Sequence, residues 1–285
     1  VLGLSPYASP YSVWADKVLD LPDDEPNDAM LFGQYAEPMI LRWFHDTTGL
    51  WVADCQLEVA HPDHPHFMAT LDGRAYESEN GTEPLAVIEA KSTSDSTWED
   101  GIPIAYRVQV MWQLFVTGMT HAFVPTLHTM SRRFRLYEVD LDPDDVEFIV
   151  PRCEAFWRDH VLTGHPPAVD AHQATTAALR GQWGGTGGIV EADITALELV
   201  AEYRYHRAQV KAAEADQEQA ANRLRLLLGD DTELRSGGTK LATCKPVERT
   251  TVDTTALRKC HPDLVRDFER TATARMLRVN EPKEK

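Results

Sequence analysis

Apolar residues recur along this chain with two different periods, and the switches between them predict an alternation of helices and strands. Leu31-Phe-Gly-Gln-Tyr-Ala-Glu-Pro-Met-Ile-Leu-Arg-Trp-Phe44 keeps helical spacing, with Tyr35, Met39, Ile40, Trp43 and Phe44 along one stripe. Asn27-Asp28 supplies a cap signal ahead of it, so a helix is expected over 29–48, after a shorter one over 10–20. The same period predicts helices over 104–118 and 142–163. Between them, short runs rich in branched and aromatic residues predict strands near 51–60, 66–76, 84–92, 120–128 and 133–140. Strands flanked by helices indicate an α/β fold with a mixed central sheet.

The pattern changes past residue 165. Pro166-Pro167 and then Gly184-Gly-Thr-Gly-Gly188 mark a flexible join. The expected organisation is a domain over 1–168, a linker over 169–193 and a helical appendage over 194–285. The appendage opens with a long helix from Ile194 to Leu228, followed by a hairpin at Gly237-Gly238 and a last helix over 261–279. Leu197, Val200, Tyr203, Val210, Ala221, Leu224 and Leu228 form a stripe that thins in its middle. That stripe suits either a solvated helix packed on its own domain or one that meets a second copy or a partner. The appendage shows no residues that suggest chemistry.

Chemistry is suggested by two short segments, Thr70-Leu-Asp-Gly73 and Val87-Ile-Glu-Ala-Lys91. The run Leu85-Ala-Val-Ile88 has the length of a buried strand, and it ends on two opposite charges. Residues i and i+2 of a strand share a face, so Glu89 and Lys91 stand side by side. Charges at the end of a buried strand are costly unless they are paired or bind a metal. A hairpin partner ending in Asp72 brings a second carboxylate to the same place. Two carboxylates and an ammonium suit a divalent ion such as Mg²⁺, with Mn²⁺ as a substitute, acting on a phosphoryl group. The lysine would orient a nucleophilic water or accept its proton. A plain Glu–Lys pair on a sheet edge is the competing reading.

Neighbouring helices supply further polar groups. Glu37 lies beside the apolar stripe of the 29–48 helix, within reach of such a pocket. Tyr106, Gln109 and Gln113 fall at i, i+3 and i+7 on one face of the 104–118 helix. Amides on a mostly apolar helix call for hydrogen-bond partners. Ser92, just past the lysine, either touches phosphate or ends the strand. His61-Pro-Asp-His-Pro-His66 has ligand-rich spacing, but its prolines suit a turn between strands, and it is read as a turn. Trp51, Trp98, Trp112 and Trp157 are read as core or interface anchors.

Composition narrows the classes. With 285 residues, 43% of them hydrophobic, the chain can bury one sizeable core and carry an appendage. No apolar run is long enough for a membrane span, and no signal peptide is visible at the start. Cys55, Cys153, Cys244 and Cys260 are scattered without CxxC spacing, which fits a reducing cytoplasm and argues against a zinc ribbon or an iron–sulfur cluster. The net charge is −17, from 28 Lys plus Arg against 45 Asp plus Glu, and the densest basic run is Arg132-Arg-Phe-Arg135. A phosphate-rich ligand would therefore require either a locally basic channel or several subunits enclosing it.

The ordered motifs Gly3-Leu-Ser-Pro-Tyr-Ala-Ser-Pro10, Gly33-Gln-Tyr-Ala-Glu-Pro38, His61-Pro-Asp-His-Pro65, Ala69-Thr-Leu-Asp-Gly73, Ile88-Glu-Ala-Lys91 and Gln109-Val-Met-Trp-Gln113 resemble those of YqaJ-type viral recombinases. These group with lambda-type phage exonucleases in the PD-(D/E)xK nuclease superfamily, and the resemblance spans roughly residues 2–168. It implies a restriction-endonuclease-like fold and a metal-dependent exonuclease that resects linear double-stranded DNA ends, 5′ to 3′, for phage recombination. Carried over by residue, it makes Asp72 and Glu89 metal ligands and Lys91 the catalytic lysine. It adds the carbonyl of Ala90 as a further ligand, Glu37 as a helix carboxylate beside the metals, and Gln109 or Gln113 as the helix glutamine. It implies a single-strand annealing protein as partner, a homo-oligomer such as a ring-shaped trimer, and a phage or prophage origin in a bacterial host. Leu71 stands where the superfamily usually has proline. The chain opens at Val1 without Met, and the Ser-rich segment the resemblance places just ahead of Gly3 is expected to be missing, which leaves Ser5 as a phosphate-contact candidate. Two alternatives stay open: a non-catalytic DNA-end-binding protein on the same fold, and an endonuclease using the same residues.

Overall fold

Serine side chains start the first helix. Ser12 N–H donates to Ser9 Oγ at 3.0 Å and Ser9 N–H to Ser12 Oγ at 2.9 Å, a reciprocal cap that opens α1 (Pro10–Val18). In α2 (Asp28–Thr48) the Asn27 side chain accepts from Met30 N–H, and Gly49 ends the helix at φ 75°, a left-handed conformation that glycine adopts without strain. The computed structural model describes residues 1–21, 27–94, 98, 101–182, 187–271 and 276–280. Most of the glycine-rich join expected at 184–188 lies outside the described residues. The chain divides into two compact units, Val1–Gln182 and Trp183–Lys285.

In the first unit the strands are β1 (Trp51–Ala53), β2 (Leu57–Ala60), β3 (Met68–Leu71), β4 (Gly73–Tyr76), β5 (Ala86–Ile88), β6 (Lys91–Thr93), β7 (His121–His128) and β8 (Arg133–Asp140). The central sheet runs β1-β4-β5-β7-β6, with β8 also on β7; β5 and β6 lie parallel to β7 and the other pairs are antiparallel. β5 and β6 keep one register on β7 (Val87↔Ala122, Lys91↔Thr126), so they are one strand interrupted at Glu89-Ala90. The fold is thus mixed α/β, a central mixed sheet flanked by helices.

Alternation along the strands sorts side chains between two faces. Val87, Ala122, Val124 and Val139 pack with Val110, Met111 and Leu114 of α3 (Ile104–Thr117) and with Ile149 of α4 (Pro143–Phe156). On the opposite face Ala75, Ala86 and Ile88 pack with Leu41 and Phe44 of α2. A smaller cluster joins Tyr11, Trp14 and Ala15 of α1 to Phe156, where α4 passes into a π-helical turn, Trp157–Val161. The segment read as linker contains α5 (Gln173–Gly181), anchored to the α1 cap by Thr175 Oγ1 donating to Ser9 Oγ at 2.7 Å.

Several expectations need correction. The single strand expected over 51–60 is two, in different sheets, because Asp54 and Gln56 take left-handed φ of 54° and 57° and turn the chain between them. The strand expected over 66–76 breaks at Asp72: β3 pairs with β2 and β4 with β1 and β5. On α2 the buried face is Ala36, Ile40, Leu41 and Phe44, whereas Tyr35 is 80% exposed and Met39 49%. Of the expected stripe, Ile40 and Phe44 are buried and Trp43 is partly covered, while Tyr35 and Met39 face outward and Ala36 and Leu41 complete the buried face. Of the four tryptophans, Trp98 is buried, and Trp51, Trp112 and Trp157 are partly covered.

The second unit holds α6 (Ile194–Leu228), the β9 (Glu233–Ser236) and β10 (Thr239–Thr243) hairpin, α7 (Thr254–Cys260) and α8 (Pro262–Arg266). Leu228 is the buried residue of the α6 stripe. The last helix expected over 261–279 is described as α8 alone, with 272–275 outside the described residues.

Candidate active site

Asp72 sits at the corner where the chain leaves the β2–β3 pair and enters the central sheet. The corner is tight: a Cβ on Gly73 would meet Val52 Cγ1 at 3.2 Å and the Ala53 carbonyl at 3.4 Å. Gly73 pairs with Ile88, Arg74 with Val87 and Ala75 with Ala86. Carrying that antiparallel register one step further sets Asp72 opposite Glu89. Ala90 N–H donates to Asp72 Oδ2 at 2.8 Å and closes the junction.

Glu89 is 2% exposed, a position that a carboxylate tolerates only when its charge is compensated. Its Oε1 accepts from Lys91 Nζ and from Gln109 Nε2, the latter at 2.6 Å, and its Oε2 accepts from Gln113 Nε2 at 2.6 Å. The two glutamines are four residues apart on α3, so one helix face presents both donors. Gln113 Nε2 also donates to the Thr70 carbonyl at 3.2 Å, which links α3 to the strand leading into Asp72. Gln113 Oε1 is buried without a hydrogen-bond partner among the described residues. Lys91 Nζ lies 5.3 Å from the centre of the Tyr106 ring, and that ring packs on buried Trp98.

The local field is negative. Desolvation, then the charge of Glu89, raises the Asp72 pKa from 3.8 to about 7, with Glu37 adding to the rise and the Ala90 N–H and Lys91 opposing it. The Cys55 thiol is pushed up by desolvation and then by Glu37, Asp54 and Asp72. Glu37 belongs to this acidic group, and its Oε1 accepts from Gln56 Nε2 at 2.7 Å. Burial first, and crowding by Glu89 second, thus favour the neutral carboxyl, and a cation bound between the carboxylates would offset both. The donors present (two carboxylates set opposite each other by register and a third nearby) are the hard oxygens that Mg²⁺ or Mn²⁺ takes.

The structure thus brings Asp72, Glu89, Ala90, Lys91, Gln109 and Gln113 together, with Tyr106 and Glu37 alongside. It does not bring in two others. Ser92 follows Lys91 on β6 and so faces the opposite side of the sheet. Ser5 Oγ accepts from Tyr7 N–H at 3.1 Å and Ala8 N–H at 3.2 Å, a local turn in the opening segment. The sequence reading missed Gln56, the partner of Glu37, because it sits on a left-handed turn inside what looked like one strand.

Residues 1–120 match the family model of the YqaJ-like viral recombinase domain. The resemblance drawn from the ordered motifs is borne out. Over 290 aligned residues the chain is 27% identical to the uncharacterized protein YqaJ of Bacillus subtilis (strain 168), covering 99% of this chain and 88% of that one. Among solved structures, an alkaline exonuclease (LHK-Exo) from Laribacter hongkongensis overlaps 50% of this chain and 73% of its own at 19% identity and a TM-score of 0.41. A phage related exonuclease from Haemophilus somnus 129PT overlaps 54% and 81% at 12% identity and a TM-score of 0.43. Likenesses this loose say nothing of individual site residues.

Proposed function

We propose that this chain is a metal-dependent exonuclease that resects linear double-stranded DNA ends, 5′ to 3′, for phage-type single-strand annealing recombination. The observation that carries the reading is the in-register approach of Asp72 and Glu89 with Lys91 beside them, in a domain that matches a viral recombinase model. Asp72, Glu89, the Ala90 carbonyl and Glu37 would hold Mg²⁺, or Mn²⁺ in its place. Such an ion supplies Lewis acidity toward a phosphoryl oxygen and lowers the pKa of a water.

The protein groups divide the remaining work. Lys91, fixed between Glu89 and the Tyr106 ring, orients the attacking water and moves its proton. Gln109 and Gln113 hold the buried Glu89 carboxylate in one orientation. The hydrogen bond from Ala90 to Asp72 fixes the second carboxylate against it.

A duplex also needs cationic contacts, and the sheet offers them locally despite the net charge of −17. Lys91, Thr126 and Arg135 occupy matching positions on β6, β7 and β8, as do Thr93, His128 and Arg133. Tyr137 and Val139, in step with Arg133 and Arg135, pack on the α3 side with Val87, which is in step with Lys91. The two arginines therefore share the Lys91 face, and neither has an ion pair among the described residues. They would take backbone phosphates flanking the scissile one. The proposal extends to a homo-oligomer, a ring-shaped trimer enclosing the duplex, and to an annealing protein that receives the exposed strand.

The test is digestion of linear and covalently closed duplex DNA with Mg²⁺ and with EDTA. Metal-dependent loss of the linear form alone, with a 5′ label released first, is expected. Attack on closed circles would replace the exonuclease with an endonuclease, and tight end binding without cleavage would replace the enzyme with a binding protein.

A further inference from the structure

The loop between β2 and β3 carries three histidines, and the fold orders them. His61 N–H donates to the Phe67 carbonyl at 2.8 Å, and Phe67 N–H to the His64 carbonyl at 2.8 Å, so the loop is a closed turn, as its prolines suggest. The His61 ring stacks on Phe115 with centroids 4.6 Å apart, and its Nδ1 accepts from Asp63 N–H at 3.1 Å. That ring is committed to holding the loop. His64 stacks on Phe67 at 5.3 Å and His66 on Trp157 at 5.2 Å, which fixes both ring planes. Facing them from α4 is Glu154, whose Oε2 lies 3.1 Å from His66 Nε2 although the two residues are 88 apart in sequence.

One nitrogen of His64, one of His66 and one carboxylate oxygen of Glu154 all lie within 4.8 Å of one another. We propose that His64, His66 and Glu154 bind one divalent transition-metal ion of the zinc class, tying the β2–β3 loop to α4. Two imidazoles and a carboxylate form a donor set that selects borderline ions such as Zn²⁺, Co²⁺ or Ni²⁺ over Mg²⁺, which prefers oxygen. Bonds of about 2.1 Å around a tetrahedral ion put ligand atoms roughly 3.4 Å apart. His66 Nε2 and Glu154 Oε2 are already 3.1 Å apart, and small shifts of the His64 ring and of the 41% exposed Glu154 side chain would bring all three groups to that spacing. His64 is partly exposed, which leaves the fourth position open to water. The π-helical turn that starts at Trp157, three residues after Glu154, is a helix distortion frequent at binding sites.

This site is separate from the carboxylate pocket. The histidine loop precedes Met68 and Asp72 follows Leu71, at opposite ends of β3, roughly 15 Å apart at about 3.3 Å per residue. It therefore stands or falls independently of the nuclease reading.

The experiment uses the full chain carrying Asp72→Asn, stripped with chelator and titrated with Co²⁺ and then Zn²⁺, followed by visible absorption and calorimetry. One equivalent of Co²⁺ with tetrahedral-type bands is expected, displaced by Zn²⁺ but not by millimolar Mg²⁺. The unsubstituted chain saturated with Mg²⁺ should give the same result. Adding Glu154→Gln, or separately His64→Gln, should weaken binding at least tenfold while the circular dichroism spectrum stays unchanged. Absence of Co²⁺ and Zn²⁺ binding at micromolar concentration, or an affinity that neither Glu154→Gln nor His64→Gln lowers from that of the parent chain, would overturn the proposal.

Discussion

Asp72 and Glu89 face each other one register step beyond the last paired residues of β4 and β5, at the point where both strands stop pairing as regular sheet. The relationship is built by backbone: Gly73↔Ile88 sets the register, and Ala90 N–H on Asp72 Oδ2 closes it at 2.8 Å. Two carboxylates this close repel, and the repulsion is part of what lifts the Asp72 pKa. The fold holds the pair in place through Gln109, Gln113 and Lys91 on the Glu89 side.

Removing either end of that arrangement should stop hydrolysis while leaving the fold. Lys91→Ala is expected to lower the rate on linear duplex by about 10²–10⁴, the usual range for loss of a positioned proton-transfer group. Asp72→Asn, close to the same shape, should lower it at least as much. Rates measured with Mg²⁺ on end-labelled duplex decide it, with circular dichroism as the control for folding. Wild-type rates in either variant would remove these residues from the site.

The Asp72 carboxyl also gives the metal-free protein a signed pH dependence. Its folded pKa, about 7, exceeds the ordinary 3.8, so the folded state binds the proton more tightly than the unfolded chain. Below about pH 4 both states are protonated and nothing is lost; as pH rises toward 7 the unfolded state releases its proton first and stability falls. Asp72→Asn cannot titrate and lacks this component. In EDTA, urea midpoints of the variant should therefore gain on wild type between pH 5 and pH 8, and Mg²⁺ should stabilise wild type more at pH 8 than at pH 5. Parallel curves for the two proteins would contradict the assigned burial of Asp72.

Much of this arrangement is legible in sequence, for physical reasons. A branched apolar run ending in Glu89-Ala-Lys91 reads as a strand because alternation is a local property, and Gln109 and Gln113 read as one face because helical spacing is local too. Non-local matters are not legible. That β3 and β4 belong to different sheets depends on pairing partners, and that β1 and β2 separate depends on left-handed Asp54 and Gln56, residues that adopt such a conformation only in a supporting context. Tyr35 and Met39 look like core because they are apolar and lie beside Ile40 and Phe44, yet the face of α2 that packs down adds Ala36 and Leu41 instead, a choice set by what the helix rests on. Arg135 across Thr126 from Lys91, and Glu154 beside His66, arise only once strands and helices have been stacked.

Gln113 offers a test of how Glu89 is held. Its amide nitrogen serves both Glu89 Oε2 and the Thr70 carbonyl, and both Gln113 and Glu89 are buried. Gln113→Leu keeps similar bulk but strips the buried carboxylate of a donor, a change expected to cost about 1–3 kcal/mol of stability. The double variant Gln113→Leu with Glu89→Leu should recover part of that loss, because the unpaired charge is gone. Urea denaturation of the wild type, the two single variants and the double variant in EDTA measures the coupling, and simple additivity of the two losses would show that the amide does not act on Glu89.

The arginines of β8 make the reading of the DNA path measurable. Arg135 lies across Thr126 from Lys91 on the same sheet face, so it should meet the phosphate backbone without touching bases. A contact of that kind contributes through counterion release: binding weakens with salt, and each phosphate contact adds about 0.9 to the slope of log K against log salt on duplex. Arg135→Gln should therefore weaken duplex binding for every sequence alike and flatten the salt slope by about one unit, and Arg133→Gln should do the same. Because neither residue has an ion pair to lose among the described residues, stability should change by less than about 0.5 kcal/mol. Fluorescence anisotropy with labelled duplex in EDTA, from low to moderate salt, separates the outcomes. An unchanged slope in both variants would mean that the duplex does not cross this face, and the search for its path would move to another surface of the first unit.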